Sequence, residues 1–128
     1  MTKVLHFGGM VECNTIEILD SILNVRYGRN VNEFWISGER EIPCLAMLVN
    51  GNYANLTFFP EDGHPGFQSA AKDTNLKLDD VTIFCTNTPY EEIEIKNDAV
   101  VTFAIALNAA REYYTTKEMP SCIEWVEM

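Results

Sequence analysis

The residues that could carry chemistry in this chain are two histidines, four cysteines and pairs of adjacent carboxylates such as Asp79-Asp80 and Glu91-Glu92. His64 lies in a loop rich in glycine and proline, where we expect exposure to solvent. His6 lies in a predicted strand, where packing or hydrogen bonding is expected instead of catalysis. A nucleophilic pair needs a thiol or hydroxyl held against a histidine, and no local spacing brings such a pair together. We therefore predict that no residue is catalytic.

The spacing of the four cysteines argues against a metal site. Zinc sites commonly use ligands about two to four residues apart, whereas these cysteines are widely separated, at Cys13, Cys44, Cys85 and Cys122. The first residues lack the long apolar core of a signal peptide, and no apolar run is long enough to cross a bilayer. The expectation is a cytoplasmic protein with free, buried thiols and with no metal, cofactor or disulfide.

The carboxylates are concentrated in the second half of the chain. Residues 61–128 hold thirteen acidic and five basic side chains, so that −8 of the net charge of −10 lies there. Neighbours such as Asp79 and Asp80, or Glu91 and Glu92, make poor acid–base pairs, because consecutive strand residues point to opposite sides. A surface this negative repels nucleic acid and membranes and can attract a basic partner. Solubility alone is the simpler interpretation.

A central β-hairpin over about residues 43–59 is the firmest structural prediction. Asn50-Gly51 stands between two apolar runs, which is the strongest short-range signal for a hairpin turn. With the turn at these two residues, Met47 would face Ala54. The residues predicted on one apolar face are Leu45, Met47, Ala54, Leu56 and Phe58. Such a face needs helices to cover it.

Two helices are predicted to provide that cover. The first spans residues 15–25 with Asn14 as its N-cap, and the second spans about residues 98–115 with Asn97 as its N-cap. The apolar stripe predicted for the second helix is Val100, Phe103, Ala104, Leu107, Ala110 and Tyr114. Further strands are predicted at residues 4–7, 33–37, 67–71 (as an edge strand), 81–85, 92–96 and 121–126. The predicted fold class is α+β, a single domain over residues 1–128 with a mostly antiparallel sheet.

The end of the chain has the spacing Glu-aromatic-x-x-Thr-x-x-x-Pro-x-x-aliphatic-x-Trp. Its members are Glu112-Tyr113, Thr116, Pro120, Ile123 and Trp125, and upstream stand Trp35, Pro43, Leu45, Gly51, Ala54 and Leu56. Together these positions, over roughly residues 14–127, resemble an immunity-protein family of bacterial polymorphic toxin systems, which is often encoded beside nucleic-acid deaminase toxins. The family pattern has glycine where this chain has Lys117. A left-handed residue there would cost about 1 kcal/mol more as lysine than as glycine.

The resemblance implies a cytoplasmic protein that binds and neutralises a cognate toxin and is not an enzyme. A toxin that acts on nucleic acid tends to be basic, so acids outside the core pattern are the predicted contacts. They are Glu61, Asp62, Asp79, Asp80, Glu91 and Glu92. Two alternatives stay open: a small acidic adaptor domain without a toxin partner, and a small enzyme with an unrecognised site. Trp35 and Trp125 are predicted in the core, with binding hot spots as the alternative.

Overall fold

A central antiparallel sheet organises the computed structural model, which describes residues 1–72 and 74–128. In chain order the elements are β1 (Thr2–His6), β2 (Gly9–Cys13), α1 (Ile16–Leu23), β3 (Val31–Ser37), β4 (Cys44–Asn50), β5 (Tyr53–Phe59), β6 (Phe67–Ser69), β7 (Val81–Cys85), β8 (Glu92–Lys96), a 3₁₀ helix (Asn97–Ala99), β9 (Val101–Thr102), α2 (Phe103–Thr116) and β10 (Trp125–Glu127). The main sheet has the order β10-β6-β5-β4-β3-β1-β2, with β9 also paired to β5, while β7 and β8 form a separate small sheet. The predicted α+β class is confirmed.

One face of the main sheet packs against both helices and forms the hydrophobic core. Side chains in a strand alternate between two faces, and in β3 the buried Phe34 and Ile36 point to the helices. The same side of the hairpin supplies Leu45, Met47, Val49, Ala54, Leu56 and Phe58, all buried. The predicted apolar face is therefore confirmed, and Val49 belongs to it as well.

The hairpin turn lies one residue later than predicted. Asn50 pairs with Tyr53, so Gly51 and Asn52 form the turn, and Gly51 takes a φ of 58°. Only the first central residue has a positive φ, so a type I′ turn, which needs two, is not formed. Met47 consequently faces Leu56. Because the pairing moves by two residues, every side chain keeps its predicted face.

Helix α1 is shorter than predicted and begins with a different cap. The Thr15 hydroxyl accepts a hydrogen bond from the backbone N–H of Ile18 at 3.2 Å, so Thr15, not Asn14, is the N-cap. The helix ends at Leu23, two residues before the predicted end. Leu19 and Leu23 are fully buried one turn apart and carry its contact with the core.

Helix α2 begins five residues later than predicted. The β-branched residues Val100, Val101 and Thr102, which precede the helix, have an extended backbone. Val101 pairs with Ala54 as part of strand β9. Thr102 then caps the helix by accepting from the N–H of Ile105 at 3.3 Å. Asn97 is instead buried, where its side chain accepts from the Thr82 hydroxyl at 2.6 Å. The predicted stripe is only partly correct: the buried helical residues are Ala106, Ala109, Ala110 and Tyr113, whereas Leu107 is half-buried and Ala104 exposed.

The outer strands differ most from the prediction. Strand β2 was not predicted, and it pairs with β1 through a turn at Phe7 and Gly8. Strand β6 is not at an edge, because β10 pairs with its free side. Strands this short carry too few alternating residues for a pattern to define their ends.

The residues of the C-terminal sequence pattern form the hydrogen bonds that position the chain after α2. The Glu112 carboxylate accepts from the N–H and hydroxyl of Ser121 at 2.6 and 2.8 Å, and these bonds hold its pKa below the usual range. The Trp125 indole donates to the carbonyl of Pro120 at 2.7 Å. The Tyr113 hydroxyl donates to the carbonyl of Pro43 at 2.8 Å. The pattern therefore fixes the last segment against the helix and the sheet.

Lys117 ends α2 in the left-handed conformation, with φ 57° and ψ 24°. Its backbone N–H donates to Tyr113 O at 2.7 Å, while its ammonium lies 5.0 Å from the ring centroid of Tyr114. Replacing Lys117 with glycine or with alanine removes the same side-chain contacts, but only glycine relieves the backbone. We expect the free energy of unfolding of Lys117→Gly, measured by urea titration, to be about 1 kcal/mol higher than that of Lys117→Ala. Equal stabilities would show that this residue carries no backbone strain.

Candidate functional site

The face of the main sheet opposite the helices is half covered by the small β7–β8 sheet. The Glu33 carboxylate on β3 accepts from the Thr86 hydroxyl at 2.6 Å and from the Asn87 N–H at 3.1 Å. On β4, the Asn50 amide donates to Ile83 O at 2.7 Å. Phe84 of β7 is itself fully buried. These contacts fix the small sheet over the ends of β3 and β4 near the hairpin turn.

The other half of this face is open and carries large apolar side chains beside the paired residues Lys3 and Glu12. Leu5 on β1 lies between Met10 on β2 and Trp35 on β3 in the strand register. Met10, Leu5 and Trp35 are 59%, 44% and 38% exposed. Phe59 stacks on Trp35 with ring centroids 5.8 Å apart. We call Leu5, Met10, Trp35 and Phe59 the open-face patch.

A depression of about 340 Å³ opens on the patch. Three members of the patch, Leu5, Met10 and Trp35, line it, and its remaining walls are Ser37, Glu41, Ile42, Cys44 and Asp62. Burial, reinforced by Glu41, raises the pKa of the Cys44 thiol to about 11, so this wall is an uncharged thiol near neutral pH. The depression is thus apolar at its floor and acidic at its rim.

The six acids predicted as partner contacts are all exposed, but they do not form one cluster. Glu61 and Asp62 lie in the loop between β5 and β6, and Asp62 reaches the rim of the patch. Asp79 and Asp80 precede β7, whereas Glu91 and Glu92 stand at the start of β8. Since β7 and β8 are antiparallel and Glu92 pairs with Cys85, these two pairs lie at opposite ends of the small sheet, at least about 17 Å apart at 3.3 Å per residue.

The two tryptophans have different environments. Trp125 is half-buried against Phe58, as the core prediction implied. Trp35 lies on the open face, so its prediction as a core residue was wrong. The reason is alternation in β3: Phe34 and Ile36 occupy the helix side, and the residue between them must point the other way.

The histidines are held by packing. His64 is less exposed than predicted, because its ring stacks on Phe67 at 5.0 Å and its Nε2 lies 3.0 Å from Glu127 Oε2. His6 packs against Tyr27 and Phe34, and burial lowers its pKa. Among residues 1–72 and 74–128, no group of three His, Cys, Asp or Glu side chains is arranged to hold a metal.

The four cysteines carry free thiols. The prediction of buried thiols is confirmed for Cys13, Cys44 and Cys85, whereas Cys122 is exposed in the segment between α2 and β10.

Sequence reasoning missed Leu5 and Met10 as surface residues. Leu5 was assigned to an apolar strand without an assigned face, and Met10 lies in the unpredicted β2. The signal that could have found them is the alternation over residues 9–13, in which Met10 and Glu12 share one side and Val11 and Cys13 the other.

An exposed apolar area bordered by carboxylates, on an α+β scaffold, is typical of a protein that binds another protein. Comparison with family models places the chain in a particular group: it matches the family described as Immunity protein Imm1 over residues 13–127, and it belongs to that family. Family membership implies an inhibitor of a toxin protein, not an enzyme. No curated protein matches the chain. Within the described residues, no helix is long and apolar enough to span a membrane.

Proposed function

We propose that this protein is the immunity component of a bacterial polymorphic toxin system and neutralises a cognate toxin that deaminates nucleic acid. Membership of the Imm1 family is the observation that carries the proposal. The encounter takes place in the cytoplasm, where the nucleic acid to be protected lies.

The charge of the protein supports a basic partner. An enzyme that binds nucleic acid must present positive charge to the phosphates, and this chain carries a net charge of −10. The proposed contacts include the exposed acids Glu61, Asp62, Asp79, Asp80, Glu91 and Glu92. Because these acids form separate groups, they would surround a contact and steer its formation, while a different surface supplies the tight binding.

The test uses the C-terminal toxin domain encoded beside the gene for this protein. Purified toxin domain is assayed for deamination of single-stranded and duplex DNA and of RNA, with increasing amounts of this protein. We expect activity to fall to background at a one-to-one ratio, and calorimetry with a catalytically inactive toxin variant to show the same stoichiometry.

Two controls make that result specific. Another acidic protein of similar size and net charge should leave the toxin active, because charge alone does not fix a stoichiometric complex. Full toxin activity in a tenfold excess of this protein would reject the proposal. The absence of a toxin gene in the neighbourhood would favour the adaptor alternative.

A further inference from the structure

We propose that the open-face patch is the anchor of the toxin contact and that it receives an apolar side chain carried on a basic loop of the toxin. This inference rests on the proposed function and deepens it, because it assigns the strongest part of the contact to Leu5, Met10, Trp35 and Phe59.

The side chains of the open-face patch leave apolar surface in contact with water, which is unfavourable. Met10, Leu5 and Trp35 are consecutive across three neighbouring strands and form one continuous apolar strip. The other half of the same face is covered by β7–β8, and there Val31 of β3 and Phe84 of β7 are buried. Contiguous apolar surface that remains open in an acidic protein is the usual mark of a docking site.

The patch consists of side-chain types that are common at protein interfaces. Tryptophan, methionine and phenylalanine are enriched at protein interfaces, and tryptophan is among the residues that most often carry the binding energy. The Trp35 ring is held in place by its stack on Phe59 at 5.8 Å. A ring that is already ordered loses little conformational entropy when a partner covers it.

The charges around the depression are complementary to a basic partner. Glu41 and Asp62 line the depression itself, and Glu61 lies beside them together with Arg40. On the same face Lys3 lies next to Ser37 and is paired in register with Glu12, so that the surroundings keep a net negative charge. This arrangement of apolar floor and net negative rim favours a partner with an apolar tip and basic flanks. A second copy of this chain fits poorly, because it would bring another net charge of −10 against the same rim.

The size of the depression limits what enters it. Its volume of about 340 Å³ lies near the lower end of the roughly 300–1,000 Å³ of pockets that hold small ligands. One or two apolar side chains fit such a space, whereas a folded element does not. The toxin segment is therefore a loop that presents its apolar residue between lysines or arginines.

The test is a methionine-oxidation footprint, because the chain contains matched internal references. Met10 and Met128 are 59% and 58% exposed, and Met128 lies beyond β10 at the far edge of the sheet. The protein is treated with dilute peroxide, alone and with saturating, catalytically inactive toxin domain, and each sulfoxide is quantified by mass spectrometry. We expect oxidation of Met10 to slow about tenfold in the complex, since a covered thioether is sheltered from peroxide. Oxidation of Met128 should be unchanged.

A pair of substitutions provides the independent measurement. The double variant Leu5→Ser and Met10→Ser should weaken toxin binding by at least about tenfold, mainly through faster dissociation. Ile18→Ser is the matched control, because Ile18 is 38% exposed on α1, on the opposite side of the sheet. The control should bind with unchanged affinity, and thermal melts of both variants show whether each one remains folded.

Each outcome decides the matter. Slow oxidation of Met10 together with weaker binding by the double variant supports the anchor. Tight binding with Met10 still fully reactive overturns it and leaves the proposed immunity function standing. The proposal is also overturned if, without toxin, Met10 becomes less reactive to peroxide as the concentration of this protein rises, because a second copy of the chain then covers the patch. Absence of any complex with the toxin domain rejects both proposals.

Discussion

Replacing Tyr113 with alanine is expected to lower the free energy of unfolding by roughly 3–5 kcal/mol, the range for large aromatic residues removed from a core. Tyr113 is fully buried on α2, and its ring meets Phe58 of the sheet edge-on with centroids 6.2 Å apart. The substitution leaves a cavity between helix and sheet that the surrounding alanines are too small to fill. Urea unfolding followed by circular dichroism measures the change.

Two further variants separate the causes of that loss. Tyr113→Phe keeps the ring but removes the hydrogen bond to Pro43 O, so it should cost about 1 kcal/mol. Leu107→Ala should cost clearly less than Tyr113→Ala, because Leu107 is only half-buried beside the core. If Leu107→Ala were as damaging as Tyr113→Ala, the buried face of α2 would be wrongly assigned.

Reversing Glu91 and Glu92 to lysine is expected to slow association with the toxin by about tenfold at low ionic strength, toward the lower end of what electrostatic steering supplies. Both side chains are exposed, and Glu92 lines the cleft that also contains Arg29 and Tyr90. Rim charges act mainly on the association rate through a field that salt screens. The dependence of the rate on salt should therefore flatten, while dissociation changes less. Stopped-flow mixing at several salt concentrations measures both effects.

The matched control is the reversal of Glu118 and Glu124, which are also exposed but lie between α2 and β10. Both double variants change the net charge by the same amount, so a difference between them reports position and not total charge. Equal slowing would mean that only the overall charge matters. If reversal of all six proposed acids left the rate and its salt dependence unchanged, those acids would be a solvated surface. Folding stability should barely change in either variant, because exposed charges contribute little to it.

The sequence predicted the central hairpin because its signals are local. The turn signal at Asn50-Gly51 and the alternation of side chains in the two flanking strands depend only on residues close in sequence. The predicted pairing was wrong by two residues, but every side chain of the hairpin lies on its predicted face. The start of α2 was wrong because Val101 completes a pairing with Ala54, a contact far away in sequence that outweighs the helical period of the same segment.

The candidate site was harder to predict than the family. Glu112, Tyr113, Pro120 and Trp125 support the family resemblance, and in the structure they fasten the C-terminal segment to the fold. These four positions belong to the scaffold, whereas Trp35, another position of the pattern, lies in the open-face patch; the pattern alone does not distinguish the two kinds of position. The open-face patch is assembled from β1, β2, β3 and β5, and the cover over the other half comes from β7–β8. Only the tertiary arrangement shows which half remains uncovered.

In strand β3, core residues alternate along the chain with residues of the opposite face of the sheet. Phe34 and Ile36 belong to the core, and Trp35 between them belongs to the open face. A substitution at Trp35 can thus change the open face without disturbing the core. Insertion or deletion of one residue within β3 would exchange the two sets, because it rotates all later side chains to the other face. If the open-face patch binds the toxin as proposed, divergence along this strand is confined to the uncovered outward positions Trp35 and Ser37 at constant strand length, because Val31 and Glu33 on the same face are buried under β7–β8.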